Sequence, residues 1–217
     1  MPTLDPNDTP IFRDSRHIPD HYWQELRAMD PQEVSQRTLV TFQSEEGYQI
    51  PFWDRIYFCR PEKQHIWRKE VPEKNLSFQE YLVLLMYLLK AREKPIEGKK
   101  IHEREIPGGE LFFRGPHALF KEPLEKAYGK DPQGFIQAGL MLGGQETGMG
   151  DASFELLVLP RIPVEYILHT EDEEFPAQIT ISFDHSVSWH LPLDALWSLI
   201  NLTGWRLLSK NKDNTFA

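Results

Sequence analysis

The sequence predicts an α+β domain, a mixed or mainly antiparallel sheet packed with about six helices, one of them buried near residues 77–91. Three observations carry this prediction. Residues 81–89 are nine consecutive apolar positions behind a Ser77/Glu80 capping spacing, which selects a helix apolar almost all round. Two separate blocks, within 39–68 and 154–183, alternate with period two. Segments of helical period, bounded by Pro and Gly, lie before, between and after those blocks, so strands and helices are grouped rather than strictly interleaved.

The elements follow in order. Residues 1–16 carry three Pro without periodicity and read as a flexible N-terminal tail. A globular unit is expected over 17–205. Pro19 suits a first helical turn, and Tyr22, Leu26 and Met29 fall on one face behind it. Asp30-Pro31 opens a second short helix ending near Arg37. Val40 and Phe42, then Tyr48, Ile50 and Phe52, alternate around a Glu45-Glu46-Gly47 turn; 56–59 and 65–68 complete an antiparallel meander. After the 77–91 helix, Pro107-Gly108-Gly109 marks a turn. Helices are expected over 117–128, stopped by Gly129, and from Asp131-Pro132 to Gly143-Gly144. Of three later strands, 154–159 is apolar on both faces and is expected to be central; 164–168 and 179–183 follow. A last helix over 192–202 is expected to stop at Gly204, leaving 206–217 as a polar C-terminal tail.

Composition excludes several function classes. The 217 residues hold 24 Lys and Arg against 33 Asp and Glu, a net charge of −9. Nucleic-acid binding draws on Lys and Arg displacing phosphate counterions, and the basic residues here are outnumbered and scattered. Anionic lipid surfaces would repel the same charge. The single cysteine, Cys59, allows neither an intrachain disulfide nor a Cys-rich zinc or iron–sulfur site. The start is polar without a signal-peptide pattern, and the longest apolar run is far short of the ~20 residues that span a bilayer. Cytoplasmic location follows as the expectation.

Six short segments stand in a fixed order along the chain. They are Ile106-Pro107-Gly108-Gly109, Gly150-Asp151-Ala152-Ser153-Phe154, Leu159-Pro160-Arg161-Ile162-Pro163, Asp172-Glu173-Glu174-Phe175-Pro176, Phe183-Asp184 and His190-Leu191-Pro192. In that order they resemble the domain-of-unknown-function family DUF3786, over roughly residues 19–202. The resemblance implies a prokaryotic protein, found mainly in anaerobic bacteria and archaea, with no assigned activity. Some members of that family are fused to a Cys-rich iron–sulfur module of the kind seen beside corrinoid proteins. This chain lacks such a module, so the resemblance supplies a redox or corrinoid context rather than a site.

The residues themselves offer four candidates. The glycine-rich run 143–150 follows a helix and precedes a strand, the reverse of a phosphate-binding loop, and reads as a connection. The acidic run 171–174 lacks the alternating spacing of a Ca²⁺ loop and reads as a solvated turn. Asp184, His185 and His190 cluster at the end of a strand. One carboxylate and two imidazoles can ligate Zn, Fe or Mn, or do acid–base work; equally, Asp184 can cap the following turn while His190 packs in the core. Arg114 can clamp a ligand carboxylate or phosphate, or pair with a surface carboxylate.

Two functions from different classes remain. One is a non-catalytic ligand-binding or accessory module for a cofactor-bearing partner or a small ligand. The other is a metal-dependent enzyme using Asp184, His185 and His190. The charge argument makes a direct prediction: the protein leaves DNA and RNA unshifted in a gel at about 150 mM salt, where non-specific binders typically show Kd values of about 10⁻⁴–10⁻⁶ M. A micromolar shift would overturn it.

Overall fold

Antiparallel pairing organises the chain twice. The computed structural model describes residues 18–70 and 76–214, and the tail expected over 1–16 lies outside them. Helices α1 (Asp20–Ala28) and α2 (Pro31–Thr38) lead into a four-stranded meander, β1 (Thr41–Gln43), β2 (Gly47–Phe52), β3 (Arg55–Arg60) and β4 (His65–Arg68), in the order β1-β2-β3-β4. Asp30 caps α2 by accepting the Gln32 N–H. Tyr48, Ile50, Phe52, Tyr57, Cys59 and Ile66 form the buried face of this sheet. Burial pushes the Cys59 thiol well above its ordinary range, so it is an inert core group.

Next comes α3 (Phe78–Lys90), with both halves of the expected capping box present: Ser77 accepts the Glu80 N–H, and Glu80 accepts the Ser77 N–H. The buried positions include Tyr81 and every residue from Val83 to Leu89. Its tyrosines still find partners: the Tyr81 hydroxyl donates to the Ile66 carbonyl and the Tyr87 hydroxyl to that of Thr38.

A second sheet takes β5 (Lys100–His102), β6 (Gln145–Glu146), β7 (Ala152–Leu159), β8 (Ile162–His169) and β9 (Gln178–Asp184), in the order β5-β9-β8-β7-β6. All pairs in both sheets are antiparallel. Phe154, Leu156, Val158, Val164, Tyr166, Ile179, Ile181 and Phe183 form the buried face of this second sheet. The remaining helices are α4 (Gly109–Phe112), α5 (Glu122–Tyr128), α6 (Pro132–Leu140) and α7 (Leu193–Asn214), and α6 packs on β7 while α7 packs on α3. The β2–β3 hairpin tip joins the halves. Trp53, at φ 54°, donates its backbone N–H to the Val158 carbonyl and its ring N–H to Thr203 on α7.

Four expectations need correction. The helix expected over 117–128 starts only at Glu122, because Pro123 suits a first turn and residues 115–117 form a separate 3₁₀ turn. Strand β7 is not central: β8 is, and β7 turns Glu155 and Leu157 to its open face. The strands form two sheets, and β5 and β6 were not foreseen. Finally, α7 does not stop at Gly204. A side chain there would meet Phe120, with an added Cβ 2.2 Å from its ring, so Gly204 permits close packing inside a continuing helix. The polar tail expected over 206–217 is therefore helical through Asn214, and Leu207 is fully buried with its carbonyl accepting the Tyr128 hydroxyl.

Truncating a buried Leu typically costs about 2–5 kcal/mol. Leu85, fully buried on α3, is expected to show a loss in that range as Leu85→Ala in denaturant unfolding. An unchanged midpoint would mean that α3 is not central to stability.

Candidate functional site

Strand alternation builds the site. While one face of the five-stranded sheet is buried, the other presents Lys100, Glu155 and Leu157, with Leu157 53% exposed. Above it lies a cleft of about 340 Å³, lined among others by Ile96, Lys100, Gln145, Glu155, Leu157 and Asp184. Register sets Glu155 opposite Glu165, Glu165 opposite Ser182, and Ser182 opposite His102, one row across the open face. The Lys100 ammonium is bonded to Glu155 and lies 3.9 Å from Glu165. Since β5 is three strands from β7, the lysine stem must lie across the sheet face to make that contact. Ser182 and His102 are neighbours in the row, and no hydrogen bond joins their side chains.

The four residues singled out in the sequence take different places. Asp184 is buried at the end of β9, where its carboxylate accepts the N–H groups of Glu97 at 3.0 Å, Gly98 at 2.6 Å and Ser186 at 2.9 Å, and the Ser186 hydroxyl at 2.6 Å. Burial opposes its charge, but these hydrogen bonds outweigh burial and hold the carboxyl below its usual range. His185 is half-exposed, with Nδ1 2.8 Å from a Glu97 carboxylate oxygen. His190 is fully buried, and neither ring nitrogen has a hydrogen-bond partner. Arg114 sits on the surface, paired with Glu110 at 3.0 Å one helical turn away. Asp184 is thus the member that reaches the cleft, and its oxygens are engaged. Among the described residues, no group of three His, Cys, Asp or Glu side chains is placed to hold a metal ion.

A family model for DUF3786, a domain of unknown function, matches residues 30–204. The chain belongs to that family. No curated protein and no solved structure matches this DUF3786 chain. No helix among its described residues is long and apolar enough to cross a membrane.

The reading of individual residues missed Lys100, Glu155 and Glu165. A signal for two of them was present: each glutamate interrupts an otherwise apolar strand, which marks the face that is not core. Lys100 carried none, because its three-residue strand is too short to show alternation.

His190 yields a pH prediction for the DUF3786 fold. Burial lowers its pKa from 6.5 to about 4, helped by nearby Arg161 and opposed by Asp184. As pH falls below 6.5 the unfolded chain takes up this proton first, so stability is lost between pH 6.5 and about 4, by about 3 kcal/mol at the lower end. His190→Leu removes the titration and two orphaned nitrogens. It is expected to match or exceed the parent in stability at pH 7 and to lose less on acidification, as read by urea unfolding at pH 7, 5.5 and 4. Equal acid losses would assign the sensitivity to other groups.

Proposed function

We propose that this DUF3786 chain is a non-catalytic binding module of the prokaryotic cytoplasm, accessory to a cofactor-bearing partner of redox or corrinoid type, with its ligand held in the cleft over the five-stranded sheet. One observation carries the reading: the open sheet face combines a charged group of Lys100, Glu155 and Glu165 with exposed apolar flanks at Leu157 and Ile96, and has no nucleophile joined to a base. Such a face holds and orients a ligand without a residue set to transform it. The partner class rests on the family resemblance, whose iron–sulfur fusions suggest the context.

Native mass spectrometry of anaerobically purified protein, paired with elemental analysis, tests this. A bound small molecule is expected, without a stoichiometric metal. Leu157→Trp fills the cleft from a position that is already 53% exposed, and is expected to release that molecule while leaving the fold intact by circular dichroism. A stoichiometric transition metal retained in Leu157→Trp and lost in Asp184→Asn would instead favour a metal-dependent enzyme using Asp184, His185 and His190.

A further inference from the structure

We infer that a second site, separate from the cleft, binds a small carboxylate anion at the edge of the meander, with Arg68 as its anchor. Register places Ile50, Tyr57 and Arg68 in one row across the inner face of that sheet, and Arg68 ends its edge strand β4. Arg68 is only 8% exposed, and its Nε is buried without a hydrogen-bond partner. Among the described residues, no carboxylate stands within ion-pair distance of it. A guanidinium keeps its charge throughout the pH range of a folded protein, so losing a proton cannot relieve the burial. A charge taken out of water with nothing to bond is costly, and an arriving anion offsets that cost.

Two further guanidinium groups share the place. Arg206 on α7 donates to Asp54 at 2.9 Å and lies 4.6 Å from the centre of the Trp53 ring, and its Nε is likewise buried and unpartnered. Arg55 stands 3.9 Å from the same Asp54 carboxylate. Arg68 and Arg206 both act electrostatically on the Tyr57 hydroxyl, which sets them around one point. The carboxylates nearby are already engaged. Asp54 accepts from Arg206, while Glu80 accepts from the Ser77 N–H, the Ser77 hydroxyl and the Tyr57 hydroxyl. Arg55, Arg68 and Arg206 thus face only Asp54 and Glu80, and the excess of one positive charge suits a singly charged ligand. A carboxylate brings that charge in a planar group that matches the guanidinium edge. A phosphate dianion would exceed it and be repelled by Asp54 and Glu80.

Urea unfolding at pH 7, with acetate, inorganic phosphate and chloride compared at one ionic strength, tests the site. A ligand that binds only the folded chain raises the unfolding midpoint. Acetate is expected to raise it above the chloride value, and by more than phosphate does. Arg68→Met keeps the stem and removes the guanidinium; it is expected to be at least as stable as the parent in chloride and to lose the acetate response. Should that variant misfold, Arg68→Lys keeps the charge without the planar edge and is expected to lose most of the response. Arg114→Gln, at the exposed arginine paired with Glu110, is expected to retain it in full. Leu157→Trp is expected to retain it too, because no residue of this cluster lines the cleft. Equal midpoints in acetate and chloride, or an acetate response undiminished in the Arg68 variants, would overturn the site. A phosphate response larger than that of acetate would overturn the carboxylate class. Loss of the response in Leu157→Trp would move the anion to the cleft. None of these outcomes bears on the cleft's own ligand, which the co-purification experiment decides.

Discussion

An α-helix with no polar side must be covered on every side, and α3 imposes that demand on the whole chain. With Tyr81 and all of Val83 to Leu89 buried, it must be enclosed, and the covering comes from α7, α1, α2 and the inner face of the meander. The end of such a helix raises a second problem, because its last carbonyls lack intrahelical partners. Arg37 on α2 resolves it by donating to the Leu88 carbonyl at 2.5 Å and that of Ala91 at 2.6 Å. Thus a charged residue near the surface completes the most apolar element of the protein.

The polar groups buried nearby act in the same structural way. Arg161 donates to the carbonyls of Arg37 and Lys94, tying the start of β8 to both the α2 end and the segment after α3. Asp184 draws in the amides of Glu97 and Gly98 from that segment. The Arg92 N–H donates to the Trp189 carbonyl, and the guanidinium lies 4.9 Å from the centre of that ring. Together these contacts hold residues 92–98 against the end of β9, and so place Ile96 and Gly98 at the edge of the cleft. Asp184 shapes the site by positioning backbone, a role that requires its charge but no bound ligand. His190, buried beside it without partners, is the one member of this group whose cost the surrounding hydrogen bonds do not offset.

Two sheets with different exposures explain why the site lies where it does. The meander gives its buried face to α3 and the five-stranded sheet gives its own to the helices, but the latter's second face remains open at Lys100, Glu155 and Leu157. On a buried face Glu155 and Glu165 would be intolerable; on the open one they are neighbours that share the Lys100 ammonium.

Local interactions were legible in the chain, and they decided the element types. The Ser77/Glu80 box, the Asp30 and Asp131 caps and the period-two alternation of β2 and β9 all act within a few residues, so spacing alone reveals them. Gly204 shows where that logic ends: nothing local distinguishes a helix stop from a glycine pressed against Phe120, 84 residues earlier in the chain. The assembly of the candidate site lies beyond it. Asp184 could be singled out as a carboxylate at a strand end, but whether a metal, an imidazole or backbone amides would meet it depended on residues 86 and 87 positions away. Lys100 and Glu155 are 55 residues apart and meet only because β5 and β7 enter one sheet. The sequence by itself determined most of the helices, the longer strands and the burial of α3, because periodicity and capping are short-range; strand order, the open face and its charged groups were decided only by tertiary pairing, which joins residues that no local pattern relates.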